Sequence, residues 1–535
     1  MYTQFTDEFL ERNQRAFSLI GVIGSEELPI DVATNACKIA LATMHGKIRP
    51  NEWISVQDSV VGKFFNNPVI SDGLQGISGT KYRQVVPGIT PIGIYLGETE
   101  TMMDVRIAVD ECTRWLTTAA GTAIECGFVA MFPELFLDKL HSGIYKQMLA
   151  RGINIKQSHL VSPTLFSRFD GVWDVTGKLW LVDVTNQSGG IDTTGIQSMI
   201  FDEITGHVGY FDYKWAMVSR NLSKWLGEFT ILGGSPLRRH CLDRLRENEV
   251  EVTAMIPGVL KPDFEAKNYP LDMGDFVITT RGLTSQLRGI KETTNAAFWW
   301  EGLGMETPQM EKRSFEILKA IDDGRIQSLN HPVIMKVVEA KSLIPLVCLP
   351  GPLKILFEER YAGDFPKNIP HRFLVRLEIV GNQLQGYLAT GTTWKLPGIQ
   401  WENLGIIRTG DELLQKLELA DVGGGMLKPA TGMGAAGIME VTRGCKLPRP
   451  KKSGMFVFEP LIKSLRISSP NILNKGDFTE PLIPRVEVYT QTYPHNGNIG
   501  AEIAKMQLLF NPGREDHRVH GSSGCFVLPV GVSDF

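Results

Sequence analysis

The sequence predicts an α/β protein of the α+β kind, with helices early in the chain and antiparallel strands towards its end. Three observations support this prediction. Apolar residues recur at helical spacing through residues 102–150, and residues 167–184 alternate like two strands joined by a turn. Strand-like runs also flank a glycine-rich stretch at residues 423–441. Helical periods early and alternating periods late favour an α+β arrangement whose strands pair with one another.

The composition is that of an ordinary globular protein. Of 535 residues, 43% are hydrophobic and 21% are charged, and the formal net charge is −4. The pI near 6.3 indicates neither the basic surface of a nucleic-acid-binding protein nor a surface attracted to membranes. No apolar run approaches the roughly 20 residues that a membrane helix needs. We therefore expect neither nucleic acid nor a membrane as a partner, and the oligomeric state stays open.

Cysteine usage and the N-terminus predict a cytoplasmic location. The seven cysteines include no Cys-x-x-Cys pair, and their odd number argues against a disulfide framework. The chain starts with acidic residues at Asp7, Glu8 and Glu11, whereas a signal peptide starts with positive charge. We expect free thiols in a reducing compartment.

Changes of pattern divide the chain into four predicted segments, in line with a length prior of about three or four domain-sized units. They are an N-terminal mixed α/β region at 1–160, a hairpin with a central α/β part at 161–345, an insertion with its own hairpin at 346–422, and a glycine-rich lid with strands at 423–535.

Each segment has its own predicted elements. The first has helices at 31–44 and within 102–150, loops or short strands at 73–97, and two isolated histidines, His141 and His159, that are expected to be structural. Later helices are predicted at 238–249, at 311–322 and around Lys341, after a short strand at 328. Later strands are predicted at 229–234, 250–256, 276–281, 373–380, 384–389, 455–461, 485–492, 506–510 and 525–532.

The hairpin at residues 167–184 brings two carboxylates together. If the Thr-Gly turn at 176–177 is of the two-residue kind, Asp170 lies directly opposite Asp183, and Arg168 lies opposite Thr185. Like charges about 5 Å apart repel, so one carboxylate stays protonated or a cation bridges the pair, and oxygen ligands suit Mg²⁺. A three-residue turn would separate the pair unless a bulge restored the register, and the alternative is two solvated aspartates.

The glycine-rich stretch predicts a phosphate lid. Lys428 sits in an apolar run, and Gly432, Gly434 and Gly437 follow with the spacing Gly-x-Gly-x-x-Gly. A dinucleotide-binding turn needs a helix directly after these glycines, whereas residues 438–442 are strand-like. We therefore predict two antiparallel strands around a flexible loop whose amides can face phosphate. A surface turn without a ligand is the alternative.

Three ordered segments resemble the circularly permuted ATP-grasp ligases, the family that includes glutathionylspermidine synthetase. The first is Arg168-Phe-Asp170 followed by residues 181–186, which is similar to the family's Arg-x-Asp and Leu-Glu-x-Asn. The second runs from residue 323 through Asn330-His331-Pro332 to Lys341, and the third is the stretch from Lys428 to Gly437. The resemblance covers roughly residues 160–535 and implies a nucleotide held between two antiparallel sheets.

The resemblance also implies a set of site residues and a reaction. Such ligases phosphorylate a carboxylate with ATP, releasing ADP, and an amine then displaces phosphate to give an amide. The implied ATP-binding residues are Lys341, Lys428, Gly432, Gly434, Gly437, Phe458, Glu459 and Leu461. The implied Mg²⁺ ligands are Asp170, Asp183, Thr185 and Asn186. Arg168 and Arg281 are candidates for holding phosphate or a substrate carboxylate, because a guanidinium fork suits both.

Two departures keep rival functions open. Asp183 stands where the family has glutamate, and Thr185 stands in the asparagine's place, with Asn186 one residue later. A non-catalytic ATP-binding or assembly protein with the same fold would carry such changes. A nicotinamide-dependent oxidoreductase is the third possibility, and it requires the helix that the sequence lacks. The substrate pair, which is small-molecule or peptide, is not defined by the sequence.

Overall fold

The computed structural model describes most of the chain from Ile94 onwards. The described residues are 94–95, 100–154, 160–162, 166–176, 178–185, 213–226, 229–232, 252–256, 277–279, 282–287, 290–294, 315, 318–319, 321–323, 328–329, 331–393, 398–419, 421–431, 437–464, 485–495, 498–510 and 526–531.

The described elements are mixed. The strands are β1 (Ile94–Tyr95), β2 (Leu160–Ser162), β3 (Phe166–Trp173), β4 (Leu179–Thr185), β5 (Phe229–Leu232), β6 (Val252–Ile256), β7 (Val277–Thr279), β8 (Gly282–Leu287), β9 (Ile290–Thr294), β10 (Ser328–Leu329), β11 (Phe373–Val380), β12 (Gln383–Thr393), β13 (Gly398–Ile406), β14 (Gly424–Pro429), β15 (Met439–Thr442), β16 (Gly454–Pro460), β17 (Arg485–His495), β18 (Asn498–Phe510) and β19 (Phe526–Gly531). The helices are α1 (Glu100–Glu125), α2 (Phe128–Met131), α3 (Pro133–Phe136), α4 (Lys139–Ala150), α5 (Trp215–Leu226), α6 (Pro332–Glu339), α7 (Leu343–Cys348), α8 (Pro352–Arg360) and α9 (Gly410–Lys416).

Two six-stranded sheets dominate the architecture. The first sheet has the order β1-β19-β18-β17-β3-β4, and it is antiparallel except where β1 runs parallel to β19. The second sheet has the order β13-β12-β11-β16-β14-β15 and is antiparallel throughout. The predicted mixed α/β class with antiparallel sheets is thereby confirmed.

One core joins the helices to a face of each sheet. Helix α1 buries Val105, Ala108, Cys112, Trp115 and Leu116, the stripe that the sequence predicts. The same core contains Phe169 of the first sheet and Val457 of the second. The opposite face of the second sheet packs on α9 through a separate cluster that includes Leu413 and Phe458. The second sheet is therefore covered on both faces.

A glycine and a proline interrupt the helical region at 102–150. Gly127 adopts a φ of 76°, which separates α1 from α2, and Pro133 begins α3. Asp138 caps α4 by accepting a hydrogen bond from the amide of His141, whose ring also contacts the same carboxylate at 2.8 Å. His141 is structural, as predicted. The predicted helices at 31–44 and 238–249, and His159, lie outside the described residues.

The hairpin of β3 and β4 pairs Asp170 with Asp183 and Arg168 with Thr185, as predicted. The predicted two-residue turn is wrong, because the amide of Asp174 bonds to the carbonyl of Lys178, which leaves three residues in the loop. The register then shifts between Asp170 and Gly171 on β3, and Val182 is the extra residue on β4. This β-bulge restores the pairing that a three-residue turn alone would have lost.

Two features of the central and C-terminal parts differ from the prediction. Lys341 does not lie on a helix, because α6 ends at Glu339 and Lys341 occupies the turn before α7. The hairpin of β11 and β12 forms around Gly381, as predicted, but β11 also pairs with β16. The second sheet therefore extends across the boundary that the sequence suggested between residues 422 and 423.

The glycine-rich stretch forms the predicted pair of antiparallel strands, with Gly425 opposite Val441 and Leu427 opposite Met439. A strand follows the loop where a dinucleotide-binding turn would have a helix. Gly437 has a φ of 77°, in the left-handed region that glycine tolerates. Gly432 and Gly434 lie outside the described residues.

We expect Gly425→Ala to destabilise the protein by about 1–3 kcal/mol, the usual result of overpacking. A Cβ at Gly425 would meet the ring of Phe458 and lie 2.7 Å from the carbonyl oxygen of Glu459. Gly423→Ala is the matched control, because a Cβ there meets nothing within 4 Å. Urea unfolding of both variants measures the difference, and equal stability would show that β14 and β16 do not pack this closely.

No described helix is long and apolar enough to span a membrane.

Candidate functional site

The site lies where the second sheet meets β4 of the first, and its centre is a buried ion-pair chain. Lys428 on β14 donates to Oε1 of Glu459 on β16 at 2.7 Å. Arg372 donates from Nε to the other oxygen of Glu459, also at 2.7 Å. All three residues are buried, and the exposed fractions of the side chains are 10%, 5% and 4% for Lys428, Glu459 and Arg372.

The strand register places these three side chains together. Lys428 pairs with Val457 and Met426 pairs with Glu459, so Lys428 and Glu459 are diagonal neighbours on one face of the sheet. On the other side of β16, Phe373 pairs with Phe458, which leaves Arg372 next to Glu459. Glu459 therefore receives one cation from each flanking segment.

The chain of charges continues to the carboxylate hairpin. Arg372 donates from Nη2 to the carbonyl oxygen of Val182, the bulge residue of β4, at 2.7 Å. Next along β4, Asp183 lies 3.4 Å from Nζ of Lys341. Three cations (Lys341, Arg372, Lys428) and two anions (Asp183, Glu459) thus converge, leaving one excess positive charge.

Both acids stay ionised in this setting. Burial alone would raise the pKa of Asp183, but the charges of Lys341, Lys428 and Arg372 lower it to about 2. Burial likewise opposes ionisation of Glu459, and Lys428 and Arg372 bring its pKa below the usual value. Burial lowers the pKa of Lys428, although Glu459 offsets part of that effect. A desolvated lysine beside an excess of positive charge favours an anionic ligand.

Asp170 belongs to a different ion-pair network on the first sheet. Its carboxylate contacts Nε of Arg168 at 2.9 Å and also pairs with Arg485 of β17. Arg168 reaches Glu487 as well, at 3.4 Å, and Glu487 is the residue opposite Asp170 on β17. Burial opposes the charge on Arg168, but Asp170 and Glu487 raise its pKa well above the usual value. The repulsion expected between Asp170 and Asp183 is thus relieved by arginine and lysine side chains.

The donor set around Asp183 fits a magnesium ion in part. The side chain of Asp183 is 29% exposed, whereas that of Asp170 is 3% exposed and is held by two arginines. Mg²⁺ needs only one or two carboxylates when phosphate oxygens and water complete its octahedron. Among the described residues no three His, Cys, Asp or Glu side chains form a group that could hold a metal. Of the two hairpin carboxylates, Asp183 therefore fits a metal ligand better than Asp170.

The remaining predicted site residues are distributed unevenly. Phe458 is fully buried in the core against Phe373, and the amide of Leu461 donates to the carbonyl of Gly424 at 3.0 Å. Thr185 closes β4 opposite Arg168. Asn186 and Arg281 lie outside the described residues. Of the predicted residues, Asp183, Lys341, Lys428 and Glu459 therefore form one cluster.

A small cleft of about 20 Å³, partly open to solvent, borders the cluster. Its charged lining comes from Asp183, Glu339 and Arg372, and most of the rest is apolar, including Leu116 and Ile344.

Arg372 and Arg485 are not among the site residues that the sequence predicts. Arg372 directly precedes the predicted strand at 373–380, and Arg485 begins the one at 485–492, so each was visible only as a strand boundary. Their partners, Glu459 and Asp170, are 87 and 315 residues away. No local pattern marks such distant pairs.

No family model matches this chain, and a search of curated proteins finds none with significant similarity to it.

Proposed function

We propose that this protein is an ATP-dependent carboxylate–amine ligase with a circularly permuted ATP-grasp fold. One observation carries the proposal: Asp183, Lys341, Lys428 and Glu459, which come from four separate segments, converge in one cluster. The sequence resemblance, which uses no structural contact, assigns these four residues to magnesium and nucleotide binding. The excess positive charge of the cluster suits the phosphates of ATP.

The chain's residues would act by binding and positioning. Lys428 and Lys341 would hold phosphate oxygens, and the loop from Gly432 to Gly437 would cover them. Glu459 would then keep Arg372 as its partner, so its charge stays compensated when Lys428 turns to phosphate. Asp183 would hold Mg²⁺, which supplies charge neutralisation at the transferred phosphoryl group when it is bound.

The proposed reaction needs no side-chain nucleophile. An oxygen of the substrate carboxylate attacks the γ-phosphorus of ATP, the bond to the bridging oxygen breaks, and ADP leaves. The amine of the second substrate then attacks the acyl carbon, phosphate leaves with the bonding electrons, and the nitrogen loses a proton. Both steps depend on positioning and electrostatic stabilisation, which Lys341 and Lys428 can provide.

The second candidate is a non-catalytic ATP-binding or assembly protein with the same fold. It is favoured by Asp170, whose carboxylate is held by two arginines and so has less freedom to ligate a metal. A nicotinamide-dependent oxidoreductase has less support, because β15 follows the glycine loop in place of a helix. A cytoplasmic location remains part of the proposal.

The test is product analysis with the full chain, Mg²⁺, ATP, and pools of carboxylates and amines. We expect ADP and phosphate in amounts that depend on both pools, because an acyl phosphate forms only from a carboxylate. AMP with pyrophosphate would contradict acyl-phosphate chemistry. ATP binding without any ADP formation would favour the non-catalytic candidate.

A further inference from the structure

We propose that Arg372 is a positioning residue for this reaction, holding the carboxylate hairpin at a fixed distance from the phosphate-binding lysine. The inference rests on the proposed function. Arg372 contacts both parts at once, with Nη2 on the carbonyl of Val182 and Nε on Glu459. Its guanidinium therefore links β4, which carries Asp183, to the Glu459–Lys428 pair.

The attachment point on β4 is the bulge. Val182 is the extra residue in the ladder between β3 and β4, and it directly precedes Asp183. A bulge bends a strand and redirects the side chains next to it. A contact that fixes the carbonyl of Val182 therefore constrains the direction in which Asp183 points.

The segment before Arg372 holds the same edge of β4. Asn368 accepts a hydrogen bond from the amide of Leu181 at 2.7 Å and donates its side-chain amide to the carbonyl of Leu179 at 2.8 Å. In the described part of the first sheet β4 is an edge strand, so these contacts occupy positions that a further strand would take. Asn368 thus holds the edge strand β4, and Arg372 links that strand to the second sheet.

The chemistry of the contact requires arginine. One planar group supplies two donors in fixed directions, to a carboxylate on one side and a backbone carbonyl on the other. Lysine keeps the charge but has a single ammonium, so it cannot reproduce both directions. The 4% exposed fraction of Arg372 also leaves little room for water to replace a lost contact.

The deciding variant is Arg372→Lys in the full chain. We expect kcat to fall on the order of 10- to 100-fold, with KM for ATP within about threefold, because misplacement by about 1 Å affects the reacting geometry more than nucleotide binding. The Mg²⁺ concentration for half-maximal rate should rise, since Asp183 is the ligand that moves. Arg376→Lys is the matched control, because Arg376 pairs with Glu378 nearer the surface and lies outside the site.

A second measurement does not depend on turnover. Without ligands, Arg372→Lys should speed amide hydrogen exchange in residues 181–184 and 458–461 together, while β12 and β13 keep wild-type protection. Asn368→Ala removes only the side-chain hydrogen bond to Leu179 and should loosen β4 near Leu179 alone, because the amide of Leu181 bonds to the backbone carbonyl of Asn368. If Arg372→Lys keeps wild-type turnover and wild-type amide hydrogen exchange, the inference about Arg372 is wrong and the proposed function is unaffected. If Arg372→Lys speeds exchange in both segments but the wild-type protein forms no ADP, the proposed function is overturned. The link that Arg372 makes between β4 and Glu459 is then still supported.

Discussion

Asp183→Asn is expected to lose roughly 100- to 1,000-fold in ATP turnover while still binding ATP. The reason is that Asp183 is the more exposed of the two hairpin carboxylates and the one that faces the lysine cluster. Removing one group that stabilises charge in the transition state costs about 3–4 kcal/mol, which corresponds to this loss. Steady-state rates across a Mg²⁺ titration measure it, and near-wild-type turnover would exclude Asp183 as the metal ligand.

Stability should fall in the same variant, in contrast to what two repelling aspartates would predict. Lys341, Lys428 and Arg372 hold the pKa of Asp183 at about 2, compared with a usual value of 3.8. A depressed pKa means that the ionised form stabilises the fold above about pH 4, and that this contribution is lost as the pH falls towards 2. The difference corresponds to about 2 kcal/mol at pH 7.

Urea unfolding at pH 7 and at pH 3 separates the two effects. The stability difference between wild type and Asp183→Asn should be large at pH 7 and smaller at pH 3, where the wild-type contribution is partly lost. Asp174→Asn is the matched control on the same hairpin, because the hydrogen bonds of Asp174 come from Thr176 and the indole of Trp180 and not from Lys341 or Lys428. It should lower stability and keep turnover. Equal loss of turnover in both variants would point to hairpin unfolding rather than to a metal ligand.

Alternation along a strand is a local property, so the sequence predicts the two strands of the hairpin, but the predicted register assumes a two-residue turn that does not form. Asp170 and Asp183 were placed opposite each other from the chain alone, and the structure has this pair. The pair is kept because the bulge at Val182 offsets the extra loop residue, and the carbonyl of Val182 accepts a hydrogen bond from Arg372, 190 residues away. The local pattern indicates which strands pair, whereas the turn length and the bulge are visible only in the structure.

The charge state of the site was harder to predict than its location. Lys428 was separated from ordinary edge lysines by its place before the glycine loop, and it is buried. Its partner Glu459 was assigned to nucleotide binding, with no indication that the two residues pair. The sequence predicts Mg²⁺ between the aspartates but not their other partners, which are Arg168 and Arg485 for Asp170 and Lys341 for Asp183. Residue type shows which charges are present, and only the fold shows which charges meet.

Lys428→Met is expected to weaken ATP binding by roughly 10- to 150-fold. A charge-assisted contact to phosphate contributes about 1.5–3 kcal/mol, and methionine keeps the length and apolar stem of the side chain without the charge. The loss of charge also leaves Glu459 with Arg372 as its remaining partner in the cluster. Equilibrium titration with a non-hydrolysable ATP analogue measures the affinity.

Adding Glu459→Gln to Lys428→Met separates the effect on ATP binding from the effect on stability. Lys428→Met alone leaves a buried carboxylate with Arg372 as its cation and should lower stability, and the double variant should be no more stable, because Glu459→Gln removes the carboxylate partner of the buried Arg372 side chain. ATP affinity should stay low in the double variant, because phosphate still lacks its lysine. Lys354→Met is the control, since Lys354 has a 44% exposed side chain paired with Glu358 on α8. Recovery of affinity together with stability would show that Lys428 supports the fold without touching the nucleotide.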